Sequence, residues 1–351
     1  MMNKIAVFIP SLEYGGAERV TSYIVNHLCN KYEVVLFTSK SATEKEYPIN
    51  EKIQRYVLNS RIELKNKLIE FEPDICIIMF APMGIKLVPT LRKLRIPFII
   101  SERNDPQHFA GKKITKYLYQ YYMKYADGVV FQTHDVVNYY KPKLKNVFCK
   151  VIYNPIDFTN FPHKNKSREK KIVNVGRLHP QKNQKLLIEA FSRISKKYPD
   201  YTLEIYGEGE LRNFLQTQIN DLGMNDKIFL KGSTKNVLKY VNNCEIFVLS
   251  SDFEGLPNSL LEAMALGMPV ISTDCPCGGP KEMIKTGVNG ILVPVKNIDE
   301  LSSNMELLIS NKKIREDLSV NAEKIRYILD SDKIMQQWEN FCIEVLRRRN
   351  E

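Results

Sequence analysis

The chain has 351 residues, of which 51 are Lys or Arg and 40 are Asp or Glu, giving a formal net charge of +11. A single core rarely grows past roughly 250–300 residues, so two domains are expected. A hydrophobic share of 44% argues against a largely disordered chain, and no run approaches the roughly 20 apolar residues that cross a bilayer.

Taken in order, residues 4–10 (KIAVFIP) read as a strand. They lead through Ser11-Leu12-Glu13-Tyr14-Gly15-Gly16 into a helical pattern over 17–29. Strands follow at 33–38, 74–80, 97–101 and 128–131, with helices at 61–71, 85–94 and 114–125. The second half repeats the plan, with strands at 171–175, 202–206, 228–230, 246–250, 269–272 and 291–293. Helices are predicted at 184–198, 211–222, 237–243 and 260–266, then at 298–310, 314–329 and 333–348. Strands alternating with helices imply right-handed crossovers and mostly parallel sheets covered on both faces. The expected fold is α/β, with two Rossmann-like doubly wound domains facing across a cleft. Their ranges are 1–165 and 166–330, separated by the polar stretch 163–171, and the helix in 331–351 is placed to pack back on the first domain. Ligands of such sheets bind outside the carboxyl ends of the strands.

Residues 1–4 run directly into the first strand without the long apolar region of a signal peptide, so the chain reads as cytosolic. Its seven cysteines lack zinc-ligand spacing, and Cys275-Pro276-Cys277 is too tight for a usual ligand pair; they read as free thiols. The positive charge fits nucleic acid, an anionic membrane or a phosphorylated ligand. Residues 1–165 hold 24 basic and 15 acidic residues, a net of +9, against 27 and 25 in residues 166–351. The excess sits in the first half.

The densest chemical signal is the run 253–263 (FEGLPNSLLEA), directly after the strand at 246–250. Asn258 or Ser259 is the expected N-cap of the helix that follows. The loop, with Gly255 and Leu256, then presents backbone N–H groups and a helix N-terminus, which is an anion site. Glu254 and Glu262 flank it; carboxylates there suit ligand hydroxyls rather than phosphates, although a surface loop residue and a first-turn cap are equally ordinary roles. At an equivalent strand end stand Arg177 and, in the next loop, Lys182. One Arg and one Lys match the charge of a diphosphate. The pairs Gly15-Gly16 and Gly207-Glu208-Gly209 both lack the third glycine of the dinucleotide fingerprint, and a tight turn accounts for each.

With these residues in view, the chain resembles the retaining glycosyltransferases of the GT-B fold, family four, in the branch that assembles bacterial surface glycans. Glu254 and Glu262 match the family's E-x7-E motif, and the run 262–271 (EAMALGMPVI) matches its longer signature. Arg177 and Lys182 match the basic pair that binds the donor diphosphate, and Gly15-Gly16-Ala17-Glu18-Arg19 is similar to the first loop of that branch. The resemblance implies that Arg177 and Lys182 neutralise the diphosphate of a nucleotide sugar, and the expected donor is UDP-linked. It implies that Gly15, Gly16, Gly255, Leu256 and Asn258 lie near phosphates or sugar, that Glu254 meets sugar hydroxyls, and that Glu262 meets the ribose. Glu254, Arg177 and Lys182 are the expected catalytic group, with no cofactor, no metal and no protein nucleophile. Many relatives place a histidine after the fourth-strand region; here the segment reads Ser101-Glu102-Arg103-Asn104-Asp105-Pro106, with His108 nearby. Arg103 and Asn104 are acceptor candidates.

In the helix at 114–125, Ile114, Tyr117, Leu118, Tyr121, Tyr122 and Tyr125 form one stripe, expected to pack on the sheet. Lys112, Lys113 and Lys116 lie off it and are expected to face lipid headgroups or the diphosphate of a lipid-linked acceptor. The reading is a transferase moving a hexose or N-acetylhexosamine onto a polyprenyl-diphosphate-linked glycan, in peripheral contact with an anionic membrane on its cytoplasmic face and without nucleic acid. An epimerase of the same architecture is the alternative, and converts a nucleotide sugar without an acceptor. A basic nucleic-acid-binding protein is the other, and shows steep salt dependence. A non-catalytic sugar-nucleotide binder would bind donor without turnover.

Overall fold

The computed structural model describes residues 2–13, 15–103, 105–108, 112–159, 161–165, 167–234 and 236–351. The chain divides into two compact units, residues 1–155 with 329–351, and residues 156–328. The division falls ahead of the lysine-rich stretch that the composition picks out, because residues 156–165 are already tied to unit 2. Asn165, for example, bonds to Asn242 and Asn243.

Unit 1 runs β1 (Lys4–Phe8), α1 (Gly16–Leu28), β2 (Glu33–Thr38), β3 (Gln54–Val57), α2 (Arg61–Phe71), β4 (Ile75–Ile78), α3 (Gly84–Leu94), β5 (Phe98–Ser101), α4 (Lys113–Met123), β6 (Gly128–Phe131), α5 (His134–Tyr140) and β7 (Phe148–Val151). The described strands form one parallel sheet in the order β3-β2-β1-β4-β5-β6-β7. The chain therefore switches direction between β1 and β4. β1, β4, β5 and β6 are almost wholly buried and carry Ile, Val and Phe without alternation, as strands covered on both faces do.

Unit 2 runs β8 (Glu169–Val175), α6 (Gln184–Ser195), β9 (Thr202–Tyr206), α7 (Arg212–Asp221), β10 (Ile228–Gly232), α8 (Val237–Val241), β11 (Cys244–Leu249), α9 (Asn258–Ala265), β12 (Val270–Thr273), α10 (Gly279–Met283), β13 (Ile291–Val293), α11 (Ile298–Ser310), α12 (Lys312–Ala322) and α13 (Arg326–Leu329). Its sheet order is β10-β9-β8-β11-β12-β13, again parallel, with the switch between β8 and β11. The helix foreseen over 314–329 is broken by a 3-10 turn at Glu323–Ile325.

The last helix, α14 (Ser331–Asn350), returns to unit 1. Trp338, Phe341, Cys342 and Val345 are buried in the same cluster as Val7, Val25 and Ile77. A polar clasp fixes its register. Glu339, 3% exposed, accepts from Lys31 Nζ at 3.0 Å and from Tyr32 hydroxyl at 2.8 Å, with His27 Nε2 3.3 Å away. Burial alone would raise the Glu339 carboxyl, but bonds from Lys31, Tyr32 and His27 hold it below its ordinary value.

Helix α4 departs from expectation. Its buried residues are Tyr119, Gln120 and Met123, whereas Ile114, Tyr117, Leu118 and Tyr121 are exposed. The stripe does not pack on the sheet. The inner face is held by buried Tyr119 and Met123 together with a polar chain: Gln120 Nε2 donates to the Tyr140 hydroxyl at 3.4 Å, which donates to buried Glu102 at 3.3 Å. Two buried side chains, Tyr119 and Met123, fix the inward face although the longer apolar stripe lies on the other side.

All seven cysteines are free, and burial pushes the thiols of Cys244, Cys275 and Cys342 up to about 12. No helix among the described residues is long and apolar enough to cross a membrane.

Replacing Glu339 with Gln is expected to cost about 1–3 kcal/mol, because three donors lose a charged acceptor. Because the folded pKa of Glu339 is lowered, its contribution is complete above pH 4.5 and fades as pH falls through the lowered value. Urea midpoints of wild type and variant should therefore converge in acid.

Candidate active site

The site residues of unit 2 gather where its sheet changes direction. β8 and β11 are hydrogen-bonded neighbours, with Val173 beside Phe247. Their carboxyl ends deliver Arg177 from one side and residues 250–257 from the other. Buried Asn174 ties the two strands by donating to Val248 O at 2.7 Å.

Lys182 owes its place to short-range chemistry. It closes a 3-10 turn, Pro180–Lys182, begun by the His179 side chain, which accepts from Gln181 N. Asn183 then turns the chain in the left-handed region at φ 45° and caps α6 by accepting from Leu186 N. The Asn183 amide also donates to Asp252 at 2.8 Å, and Ser250 Oγ donates to Lys182 O at 2.9 Å. With Asp252 N donating to Gln181 O at 2.8 Å, the Lys182 turn and the Glu254 loop are clamped together.

The side chains meet. Lys182 Nζ donates to Glu254 Oε1 at 2.5 Å, and Ser251 Oγ donates to the same oxygen at 2.6 Å. Gln181 Nε2 donates to Phe253 O at 2.9 Å and reaches Glu254 Oε2 at 3.4 Å. Glu254 is 6% exposed and the Lys182 side chain 16%. In a poorly screened setting each charge acts more strongly than in water. Arg177, by contrast, is exposed at the mouth of the same edge.

Helix α9 begins at Asn258, with Pro257 as its N-cap residue rather than Asn258 or Ser259. Proline lacks an N–H to satisfy and its fixed φ, here −76°, sets the entry into the helix. Its extended backbone, at ψ 107°, leaves it just outside. Asn258 is half-buried in the first turn, and Glu262, one turn on, is 8% exposed. Gly255 and buried Leu256 lie in the loop before it. The first N–H groups of α9 thus lie at the same edge as Arg177 and Lys182, an arrangement suited to an anion flanked by hydroxyl-bearing groups.

Several supports were not visible in the sequence. Gln181, Asn183 and Ser251 position the ion pair, yet each is a common polar residue in an ordinary loop. Gly279 is closest to a detectable signal, in the run Gly278-Gly279-Pro280. A Cβ at Gly279 would overlap the Gly255 carbonyl oxygen. The segment after β12 therefore packs directly on the Glu254 loop. Gly207 and Gly209 likewise press on the backbone of residues 176–178, and a Cβ on either would overlap a carbonyl oxygen there. They are tight-packing glycines beneath Arg177.

In unit 1, Gly15 caps α1 with extended backbone and Gly16 opens the helix. The Glu18 carboxylate folds back so closely that a Cβ on Gly15 would collide with it. Burial raises the Glu18 carboxyl above its ordinary value, with the Arg103 charge acting in the opposite sense. Arg103 is engaged: it donates to Ser101 Oγ at 3.3 Å and to Asn154 Oδ1. Burial pushes its guanidinium down to about 10. His108 Nδ1 lies 2.6 Å from buried Asp105. Lys112 and Lys113 are exposed at the start of α4, and Lys116 is half-buried on it. Asn104 lies outside the described residues. Among the described residues, no group of three or more His, Cys, Asp or Glu is arranged to hold a metal ion.

Two parallel doubly wound units define a GT-B architecture. Solved structures agree on the fold. Anabaena HepE in complex with UDP matches with a TM-score of 0.82 at 17% identity, covering 98% of this chain and 100% of that one. The crystal structure of TarM matches with a TM-score of 0.80 at 16% identity over 97% and 98%. Residues 156–325 match the family described as glycosyl transferases group 1, and residues 14–160 match glycosyltransferase family 4. An uncharacterized glycosyltransferase of Methanocaldococcus jannaschii is 32% identical over 296 residues, covering 77% of this chain and 69% of that protein. A Campylobacter jejuni enzyme named N-acetylgalactosamine-N,N'-diacetylbacillosaminyl-diphospho-undecaprenol 4-alpha-N-acetylgalactosaminyltransferase is 27% identical over 364 residues, covering 95% and 97%. The chain belongs to glycosyltransferase family 4.

Gly279→Ala tests the packing under the Glu254 loop. It is expected to lower stability by about 1–3 kcal/mol, as overpacking does. Gly223→Ala, where a Cβ meets nothing within 4 Å, serves as comparison for backbone strain alone. Equal urea midpoints for Gly279→Ala and wild type would contradict the close approach.

Proposed function

We propose that this glycosyltransferase moves a hexose or N-acetylhexosamine from a UDP-sugar to a growing glycan carried on a polyprenyl diphosphate, with retention of anomeric configuration and without a metal ion. The observation that carries the reading is the exposed Arg177 beside the Lys182–Glu254 pair at the switch between β8 and β11. The Campylobacter jejuni relative, whose name specifies an undecaprenol-linked acceptor, supports the acceptor class. So does the charge: unit 1 holds 27 basic and 19 acidic residues, a net of +8.

As the sugar becomes oxocarbenium-like, negative charge grows on the leaving diphosphate. Arg177, Lys182 and the first N–H groups of α9 are already in place to stabilise it, so little reorganisation accompanies the step. The Glu254 carboxylate, fixed by Lys182 and Ser251, accepts hydroxyl groups of the transferred sugar, and Glu262 accepts those of the ribose. The acceptor oxygen attacks the face from which the diphosphate departs, forming the new glycosidic bond as the old one breaks. The departing phosphate oxygen takes the acceptor proton. No protein nucleophile enters this sequence. Arg103 orders the carboxyl edge of unit 1, and Lys112, Lys113 and Lys116 supply positive charge for the acceptor.

Arg177 gives the cleanest test, because its exposure separates chemistry from folding. Arg177→Ala is expected to lower transfer about 10²–10³-fold, the range for removing one preorganised charge stabiliser, with an unchanged melting temperature. Glu254→Gln and Lys182→Met should lower transfer too, with a loss of stability from the broken buried pair. A panel of nucleotide sugars should show thermal stabilisation by UDP-sugars first. Wild-type rates in folded Arg177→Ala, or conversion of a nucleotide sugar with no acceptor present, would overturn the reading.

A further inference from the structure

We infer that a groove on the sheet of unit 2 is a second saccharide-binding site, which holds one pyranose unit of a glycan apart from the transfer residues. This rests on the glycan-acceptor reading only for its purpose. The groove has a volume of about 410 Å³ and runs from Glu169 and Asn243, at the amino ends of β8 and β11, to Thr234 beyond β10. Arg177, Lys182 and Glu254 are not among its lining residues.

Its lining is polar where a covered sheet face is ordinarily apolar. Side chains alternate between the two faces of a strand. Ile172, Leu203, Ile205 and Ile228 point to one face and fill the core with α6 and α7. Lys171, Glu204, Tyr206 and Lys231 line the groove on the other. Helix α8, which follows β10, has five residues and packs on β11 and α9, so this part of the face stays open. Glu204 is 7% exposed; Lys171 Nζ lies 3.1 Å from its Oε1, and the Tyr206 hydroxyl donates to its Oε2 at 2.7 Å. Lys171 Nζ also lies 2.6 Å from Glu169. Apolar residues in place of such a pair are often neutral or stabilising, so folding alone does not account for it.

The chemistry of the lining selects the ligand. Two carboxylates, Glu169 and Glu204, are interleaved with two ammonium groups, Lys171 and Lys231. The set has no net charge with which to hold a phosphate or a polyanion. A hydroxyl group both donates and accepts, and so satisfies either sign. A ring that carries several hydroxyls in fixed directions therefore suits an alternating set. One wall is aromatic: the rings of Tyr206 and Tyr240 stack with centroids 5.9 Å and planes 20° apart, and Tyr240 is 49% exposed. Such a ring offers a flat apolar surface beside hydrogen-bonding groups, which matches the C–H face of a pyranose. For a growing glycan, a second hold on the same chain raises its effective concentration at the transfer residues without any new catalytic contact.

The test is saturation-transfer NMR of the full chain with the methyl glycosides of glucose, galactose, N-acetylglucosamine and N-acetylgalactosamine, each with and without saturating UDP. At least one glycoside is expected to receive saturation from the protein, undiminished by UDP. Tyr240→Ala should weaken its binding about fivefold or more, through loss of the aromatic wall. Lys231→Ala should weaken it about threefold or more, through loss of a hydrogen bond. Both positions are exposed, so neither change should move the melting temperature. Saturation of none of the glycosides, or binding unchanged in Tyr240→Ala, overturns the inference. Loss of the signal on adding UDP also overturns it, because the groove then belongs to the donor. Binding is read without turnover, so failure of the transfer reading would leave its result standing.

Discussion

A lysine and a glutamate 2.5 Å apart, both largely out of water, attract strongly but have each given up hydration. The balance is favourable only where further donors and acceptors surround them. In unit 2 that requirement organises the whole carboxyl edge of the sheet. Ser251 and Gln181 complete the Glu254 carboxylate, while Asn183 and Ser250 fix the turn that carries Lys182. Gly279 lets a third loop close beneath them. The pair is therefore less an isolated bond than the fixed point on which three loops converge. Arg177 is left as the exposed charge beside a largely buried one.

The two units use the same sheet plan to different ends. Unit 2 keeps its excess charge small and sets Arg177 and Lys182 at one edge. In unit 1 the corresponding edge is a neutralised web: Glu18 folds over Gly15, and Arg103 is shared between Ser101 and Asn154. The uncompensated charge of unit 1 lies elsewhere, including α4.

Much of this was legible in the sequence, for identifiable reasons. β2, β6, β9, β13 and α11 fall on the residues predicted, because each combines an apolar pattern with clear boundaries, such as Asn297 as a cap; α2 does so on its boundaries, with Ser60 as its cap, although Ile62 and Ile69 on it are exposed. β3, α5, β7 and α10 were missed. Each has seven residues or fewer, and the two strands, QRYV and FCKV, mix polar with apolar residues and form the two edges of their sheet. The motif residues Arg177, Lys182, Glu254 and Glu262 were found because their types and spacing are unusual together. Gln181, Asn183 and Ser251 were not, since their significance arises only from partners about 70 residues away or across a turn. The face of α4 was misjudged because periodicity records which residues share a side, not which side faces in.

The clasp between α14 and unit 1 has a consequence for how the molecule comes into being. Trp338, Phe341 and Val345 fill the same core as β1 and α1, yet the ribosome must finish all of unit 2 before it reaches them. Domains commonly fold as they emerge. Unit 2 has every part of its core in one continuous stretch, whereas unit 1 waits with an open apolar face along α1. The order of completion is thus the reverse of the order of synthesis, and the half that appears first is the one that depends longest on protection from aggregation.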